Sequence, residues 1–182
     1  MYSVLKRVVF FVLLIGLWAL LFRLGIWPEY ILPSPLSVCK TLVRGFQDQS
    51  LLIGVAISMK RIAIGYGISI GIGIFTGLLI GRFRIFEETL GSLISGLQTL
   101  PTICWLPLSL LWFGLNDRAI IFLVFMGAVL SIATGTDSGV KNVPPLYIRA
   151  AKTMGAKKWK LYLEVIIPAA LPHIIIGMKQ GW

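Results

Sequence analysis

An uncharged apolar stretch from Ile62 to Gly81 is the feature that most limits how this chain can fold. About 20 apolar residues in helical form cross the hydrocarbon core of a bilayer, so this stretch is long enough to span a membrane. Similar stretches recur, and together they predict spans at about 8–27, 58–81, 89–115, 119–136 and 165–182. Charged residues make up only 13% of the 182 residues. We therefore expect an all-α integral membrane protein, a polytopic helical bundle that forms a single transmembrane domain over 1–182.

Small residues recur at every fourth position of the second predicted span. One row consists of Ser69, Gly73, Gly77 and Gly81, and a second row contains Gly67 and Gly71. Small side chains let helix backbones approach closely inside a bilayer. We interpret the pattern as packing within the molecule, and a dimer face is the secondary interpretation.

The third predicted span is the longest stretch without a charge, and prolines interrupt it. Prolines at membrane depth leave backbone groups free, which is tolerated where those groups face protein or a wet cavity. Polar side chains accompany the first proline. We therefore predict that this region contributes to a solute pathway, with the candidate residues Gln98, Thr99, Pro101, Thr102 and Pro107. An ordinary proline-kinked, packed helix is the alternative.

Several function classes are excluded by what the sequence contains. The formal charge of +10 comes from cations at the ends of apolar stretches, which is typical of topology signals and not of a nucleic-acid-binding groove. Cys39 and Cys104 lie far apart without neighbouring histidines, so no metal site is predicted. No phosphate-binding G-x-x-x-x-G-K-[ST] motif occurs, and no cluster of acid, base or metal ligands at membrane depth suggests an enzyme. Any energy that the function needs would therefore have to come from a partner protein.

A polar segment at about 141–164 separates the fourth and fifth predicted spans. Two prolines precede a predicted helix from about Leu146 to Met154, and Gly155 can adopt the left-handed conformation that ends a helix. A second helix is expected from Lys157 to about Ile167. The segment carries six cations, Lys141, Arg149, Lys152, Lys157, Lys158 and Lys160. It is suited to contacting another protein, although a basic loop that only fixes orientation is the alternative.

The distribution of cations predicts the orientation of the chain. With a cytoplasmic N-terminus, ten cations near span ends lie inside, in the segments 6–7, 82–84 and 141–160. Six lie outside, namely Arg23, Lys40, Arg44, Lys60, Arg61 and Arg118. This excess follows the positive-inside rule and places the basic segment in the cytoplasm.

The basic segment resembles a known loop. Arg149-Ala150-Ala151, Gly155 and Val165-x-Ile167-Pro168 are spaced as in the "EAA" loop of binding-protein-dependent ABC importer permeases. Arg149 stands where that family usually has Glu. Further stretches, "ILPSP", "SMKRIAIGYG", "LPTICWLPLSLLWFG" and "IIPAALP", are similar to the sulfonate, taurine, nitrate and bicarbonate subgroup.

The resemblance implies a type I ABC importer (MetI-like) permease fold and a chain in the inner membrane that moves a small solute. It also implies cytoplasmic ATPase subunits that hydrolyse ATP with Mg²⁺, a second permease copy that forms a homodimer, and a periplasmic or lipid-anchored solute-binding protein. This chain would bind membrane lipid but no cofactor, metal or nucleic acid. Its coupling helix would contact the ATPase through Arg149, Ala150, Ala151, Met154, Gly155 and Lys158.

Two further hypotheses complete the interpretation. Because the resemblance implies six spans and the sequence stops at Trp182 within the fifth, we expect a truncated form, with a split permease as the alternative. The competing functional class is a membrane scaffold or assembly protein that does not transport and docks a cytoplasmic partner through its basic loop.

Overall fold

The computed structural model describes residues 2–182, with side chains described for 4–157 and 159–182. Within that range the regular elements are all helical. The chain packs as two compact units, of which one extends to Ser58 and the other comprises Met59–Trp182. The interpretation of 1–182 as one domain stays a prediction.

The first unit contains two helices and the beginning of a third. Helix α1, Tyr2–Arg23, ends before a turn in which Gly25 has a φ of 65°. Helix α2, Pro35–Gln47, begins after Ser34, whose side chain accepts a 3.0 Å hydrogen bond from the backbone N–H of Ser37. Helix α3, Ser50–Arg82, begins in this unit and continues into the second.

A tight turn joins α2 to α3. The Asp48 carboxylate accepts hydrogen bonds from the Ser50 hydroxyl at 2.7 Å and from the Ser50 backbone N–H at 3.0 Å. Gln49 between them has a φ of 61°. The Asp48 carboxylate thus accepts from the backbone N–H of Ser50, which lies in the first turn of α3 and has no hydrogen-bond partner within the helix.

The second unit contains a strongly bent pair of helices. The pair consists of helix α4, Arg84–Gln98, and helix α5, Thr102–Phe113. The chain direction changes by 102° at the break between them. A π-helical turn at Glu87–Gly91 lies within α4, and α5 opens with a 3₁₀ turn at Thr102–Trp105.

Three further helices follow. They are α6, Asp117–Lys141, the short α7, Pro145–Thr153, and α8, Trp159–Gly181, which contains a π-helical turn at Tyr162–Ile166. Among the described helices, α1, α3, α6 and α8 are each long and apolar enough to cross a membrane. The bent pair α4–α5 would count as a fifth span if its two parts cross together.

Glycines bring α3 and α6 into close contact. A Cβ atom placed on Gly73 would lie 2.9 Å from the Cβ of Ile132, and one on Gly77 would lie 2.5 Å from the carbonyl oxygen of Ala133. These distances are shorter than ordinary contacts, so only glycine fits. The packing within the molecule that we predicted for this row is therefore confirmed.

The second small-residue row of α3 makes no comparable contact. A Cβ atom on Gly67 or Gly71 would meet nothing within 4 Å among the described residues. The interpretation of a small-residue row as a dimer face stays a prediction.

Helix α8 approaches a neighbouring face of α6 just as closely. A Cβ atom on Gly135 would lie 2.6 Å from the Cα of Gly177, and one on Gly139 would lie 2.9 Å from the carbonyl oxygen of Ala170. Helix α6 therefore packs closely against both α3 and α8, and Tyr66 of α3 also contacts α8 directly.

The structure corrects the predicted break at Pro107. Pro107 lies in the first turn of the helix Leu106–Phe113, and α5 continues through it. The N–H group that proline lacks would have no helical partner at that position, so the ring is tolerated there. The chain is interrupted at Pro101, whose ψ of 140° is extended.

The boundary predicted near 165 is also wrong. The second basic helix and the last apolar stretch form one helix, α8, which passes through both Pro168 and Pro172. Just before Pro168, the backbone N–H of Ile167 bonds to the carbonyl of Tyr162, five residues back. A wider turn of this kind lets a helix continue past a residue that cannot donate.

Other span limits shift because hydropathy marks the segment compatible with lipid, whereas backbone hydrogen bonding continues into polar residues. Helix α3 begins at Ser50 instead of about 58, and α6 extends to Lys141 instead of about 136. Helix α1 ends at Arg23 instead of about 27, because the positive φ of Gly25 is incompatible with a continuing helix.

Candidate functional site

The segment 145–161 forms a helix-turn-helix whose turn is fixed by its own backbone. The N–H of Ala156 donates to the carbonyl oxygen of Ala151 at 2.9 Å, and the N–H of Gly155 donates to the carbonyl oxygen of Lys152 at 3.0 Å. These two bonds form a Schellman motif, which requires a left-handed residue between them. Gly155 supplies it with a φ of 88°. The predicted helix end at Gly155 is therefore confirmed.

The inner face of the helix-turn-helix rests on the helical bundle. Ala151 is only 8% exposed, and Ile148 packs against the buried cluster that includes Val143 and Tyr162. The Arg82 guanidinium lies 4.8 Å from the centroid of the Tyr162 ring, which links the end of α3 to the beginning of α8. These contacts connect the helix-turn-helix to both long helices.

The outer face of the helix-turn-helix presents large apolar side chains. Met154 is 87% exposed and Trp159 is 75% exposed, and Leu146 is exposed as well. The cations Arg149 and Lys152 are also exposed on α7. Large exposed apolar side chains accompanied by cations are typical of a site that another protein covers.

The predicted coupling residues divide between the two faces. Arg149, Ala150 and Met154 are exposed, whereas Ala151 is buried and Gly155 shapes the turn. The side chain of Lys158 lies outside the described residues. Sequence reasoning missed Trp159 and Leu146, although their positions on either side of the motif could have suggested them.

Lys141 was predicted to belong to the basic loop, but it is the last residue of α6. Its Nζ atom lies 2.9 Å from a carboxylate oxygen of Glu87 and 2.9 Å from one of Asp137. Two carboxylates thus neutralise this cation, and the pair with Glu87 connects α4 to α6, whereas Asp137 lies on α6 itself. The available charge of the loop is correspondingly smaller than the sequence suggests.

Arg61, one of the cations counted near the predicted span ends, forms an ion pair. The Arg61 guanidinium lies 2.6 Å from a carboxylate oxygen of Asp117, and its side chain is only 28% exposed. The pair joins α3 to the first turn of α6.

Two of the predicted pathway residues line a common cleft. Gln98 and Thr102, on either side of the break between α4 and α5, face a cleft of about 150 Å³ with Ser131 of α6 and Gln180 of α8. We call this the break cleft. Its polar groups come from four separate helices, so they can converge on one small molecule.

The other three predicted pathway residues lie outside the described lining of the break cleft. The hydroxyl of Thr99 donates to the carbonyl of Gly96 at 2.7 Å. Pro101 forms the break itself, and Pro107 lies within α5. Sequence reasoning missed Ser131 and Gln180 because no local pattern connects single polar residues on distant apolar helices.

An adjoining cleft of about 430 Å³ shares Thr102 and Gln180 with the break cleft. Tyr66 of α3 lines it, and the Tyr66 hydroxyl donates to the carbonyl of Met178 at 2.8 Å. Apolar side chains form much of its wall, including Ile62, Leu123 and Val124.

Known proteins resemble this chain over most of its length. A protein of Methanocaldococcus jannaschii named as an ABC transporter permease is 38% identical over 93% of this chain and 64% of its own length. The nitrate import permease protein of Leptolyngbya laminosa is 33% identical over 97% of this chain and 65% of its own length. A Bacillus subtilis protein named for aliphatic sulfonates transport is 28% identical over 98% of this chain and 64% of its own length.

The chain thus spans somewhat less than two thirds of the length of these relatives. The family model described as "Binding-protein-dependent transport system inner membrane component" matches residues 69–181. That range contains α4 to α8, the helix-turn-helix and the break cleft. The chain therefore belongs to this family of multi-pass inner membrane permeases, with their all-α MetI-like fold.

Proposed function

We propose that this chain is the permease subunit of an ABC-type importer that moves a small anion across the inner membrane. The observation that carries the proposal is the helix-turn-helix. Its turn is held by a Schellman motif, its inner face rests on the bundle, and its outer face exposes large apolar side chains. Relatives named for nitrate, aliphatic sulfonates and bicarbonate support an anionic solute.

The proposed partners follow from the division of labour that such a chain requires. An ATPase subunit covers the outer face of the helix-turn-helix and supplies the energy from ATP and Mg²⁺, and this chain performs no covalent chemistry. A second copy of the permease completes the transmembrane part, and a solute-binding protein delivers the anion from outside. In this arrangement the N-terminus and the helix-turn-helix lie in the cytoplasm, and lipid surrounds the exposed faces.

The contacts beneath the helix-turn-helix suggest how motion is transmitted. Because α8 is continuous from Trp159 to Gly181, a push on the turn acts on the same helix that lines the break cleft. The Arg82–Tyr162 contact carries the same displacement to α3. The break cleft lies where α8 meets α4 and α5, so the displacement changes access to it. Two packings of similar free energy, selected by the ATPase, are sufficient for alternating access.

The competing hypothesis is a scaffold that docks a partner without transporting. It predicts the same outer face but requires no cleft between α5, α6 and α8. Membership of a permease family does not favour it.

The test is Gly155→Val in the complete importer, reconstituted with its ATPase and solute-binding protein. A β-branched residue in the left-handed region costs about 1–2 kcal/mol, which is comparable to the energy that fixes the turn. We expect weaker ATPase association and slower uptake. Gly54→Val is the matched control, because a side chain there meets nothing within 4 Å and Gly54 lies outside both small-residue rows of α3.

Crosslinking gives an independent readout. The variant Met154→Cys is expected to crosslink to the ATPase. Wild-type uptake and ATPase association in Gly155→Val, together with no crosslink, would contradict the proposal. ATPase association without uptake by the wild-type assembly would favour the scaffold hypothesis.

A further inference from the structure

We propose that helix α2 lies flat in the headgroup region of the bilayer, with its apolar face among acyl chains and its two cations on anionic phospholipid headgroups. This surface is separate from the helix-turn-helix and from the break cleft, so the inference goes beyond the proposed transport function. It is carried by the distribution of side chains around α2 and by the contacts that α2 and its flanking residues make with α1 and α3.

The side chains of α2 divide into an apolar and a polar face. Residues three and four positions apart share one face of a helix. The apolar face consists of five exposed side chains, Leu36, Cys39, Leu42, Val43 and Phe46. The opposite face carries Thr41 and the cations Lys40 and Arg44, and α2 contains no acidic residue. This division is typical of a helix that lies in a membrane interface and does not cross the bilayer.

Both cations of α2 are available to a ligand outside the protein. Lys40 and Arg44 are exposed, and within the part of the chain that the structure describes neither pairs with a carboxylate. Asp48, which follows α2, is engaged by the hydroxyl and the backbone N–H of Ser50. Cations beside an apolar face extend their aliphatic stems along it and bring their charged ends to the level of the phosphates. Their charge therefore complements an anionic headgroup layer.

Contacts with α1 place the start of α2 at membrane level. The indole N–H of Trp18, in the last turns of α1, donates to the carbonyl of Pro33 at 3.0 Å. Helix α1 is long and apolar enough to cross a membrane and ends at Arg23, so the residues that enter α2 lie beside α1 and not beyond its end. Trp27 and Tyr30, exposed in the connection, are aromatic residues of the kind enriched at membrane interfaces.

A close corner holds the other end of α2 to α3. Only Asp48 and Gln49 separate the two helices, and two residues reach at most about 7 Å. A Cβ atom on Gly45 would lie 3.2 Å from the Cβ of Leu51, so the helices pack closely at the turn. Because α3 is apolar from Leu51 onward, α2 stays at the membrane surface where α3 begins.

A lipid surface fits this face of α2 better than a second protein copy does. Lys40 lies one helical turn from both Leu36 and Val43, so it borders the apolar face. The core of a protein interface is depleted of lysine, because burying an unpaired cation is costly. At a membrane surface the phosphates lie directly above the acyl chains, so one arrangement accommodates the cation and the apolar side chains together.

The first experiment measures membrane depth on both faces of α2. The protein is purified with cysteine-free partner subunits and reconstituted in nanodiscs that contain phosphatidylglycerol. A nitroxide spin label is attached to Cys39 in a Cys104→Ala background, and to Thr41→Cys in a background that also carries Cys39→Ala. Electron paramagnetic resonance then measures collisions with oxygen, which dissolves in lipid, and with a water-soluble nickel chelate. We expect the label on Cys39 to collide mainly with oxygen and the label at Thr41→Cys mainly with the chelate.

Two results of this measurement would overturn the placement of α2. A label on Cys39 that is shielded from both reagents would mean that another protein, a second copy or a partner subunit, covers the apolar face. A label on Cys39 that meets the nickel chelate as often as the label at Thr41→Cys would mean that water covers it.

The second experiment tests the charge of the headgroups. A fluorophore replaces the spin label on Cys39 in phosphatidylcholine nanodiscs, and phosphatidylglycerol or phosphatidylcholine with brominated acyl chains is added as quencher at the same mole fraction. One cation near the surface corresponds to about fivefold enrichment of an anionic lipid, so brominated phosphatidylglycerol should quench at least about twofold more strongly. This preference should fall as salt rises from about 0.1 M to about 1 M, because the Debye length shrinks from about 10 Å to about 3 Å.

Variants identify the cations responsible. Lys40→Gln combined with Arg44→Gln should abolish the preference, whereas the matched control, Lys40→Arg combined with Arg44→Lys, should keep it because the charges are unchanged. Size-exclusion profiles identify a variant that fails to fold, and the salt dependence of the wild type then tests the same charges without a substitution. Equal quenching by the two lipids in the wild type, or an unchanged preference in the folded glutamine variant, would overturn the inference.

Discussion

Replacing Gly77 by alanine tests the close packing of α3 on α6. A Cβ atom there would lie 2.5 Å from both the Ala133 carbonyl oxygen and the Thr136 Cβ. Since carbon atoms prefer separations of about 3.5–4.0 Å, the two helices would have to separate by about 1 Å. Overpacking of this kind typically costs about 1–3 kcal/mol.

The same substitution at Gly71 provides the control on the same helix. A Cβ atom at Gly71 meets nothing within 4 Å, so no contact has to yield. Both variants gain up to about 1 kcal/mol from the higher helix propensity of alanine, and this gain cancels in the comparison. We therefore expect the free energy of unfolding of Gly77→Ala to be about 1–3 kcal/mol below that of Gly71→Ala.

The assay is reversible unfolding in mixed detergent micelles, followed by circular dichroism as the fraction of denaturing detergent rises. Gly71→Ala should unfold at the wild-type midpoint or slightly above it, and Gly77→Ala clearly below it. If Gly77→Ala proves as stable as Gly71→Ala, then α3 and α6 do not meet through this row.

Two further predictions concern single hydrogen-bonding groups. The hydroxyl and then the backbone N–H of Ser50 hold the pKa of the Asp48 carboxyl below its ordinary value. The stability from this turn is therefore fully present above the unfolded pKa of about 3.9 and is lost as pH falls through the lowered pKa. Carboxyl NMR titration should show a higher Asp48 pKa in Ser50→Ala, and an unchanged value would contradict this. Ser109, fully buried, donates to the carbonyl of Ala119 at 2.8 Å, so Ser109→Ala should cost about 1 kcal/mol in the detergent assay, and no loss would show that the bond adds nothing.

The helix end at Gly155 illustrates what could be read from local sequence. A glycine that follows a helical stretch predicts a left-handed cap, because the missing Cβ removes the steric penalty within a few residues of backbone. The row containing Gly73 and Gly77 could also be interpreted from local sequence, because small residues on one helix are enough to predict that another helix packs closely against it. In both cases the cause lies within one segment.

The two proline errors show where local reasoning failed. Pro101 and Pro107 look equivalent in the sequence, but only Pro101 interrupts the chain, because Pro107 occupies the first turn of a new helix. Near Pro168 a π-helical turn keeps α8 continuous. Whether a proline breaks a helix depends on its position relative to the hydrogen bonds around it, and neighbouring helices help to decide that position.

The sequence by itself determined the membrane class, the apolar helices, the turn at Gly155 and the family, because hydropathy, backbone sterics and motif spacing are properties of contiguous residues. Only the tertiary structure decided which polar groups meet. Lys141 pairs with Glu87, and Gln98 shares the break cleft with Gln180. These partners lie far apart along the chain, and their convergence depends on the angles and separations at which α4, α6 and α8 pack.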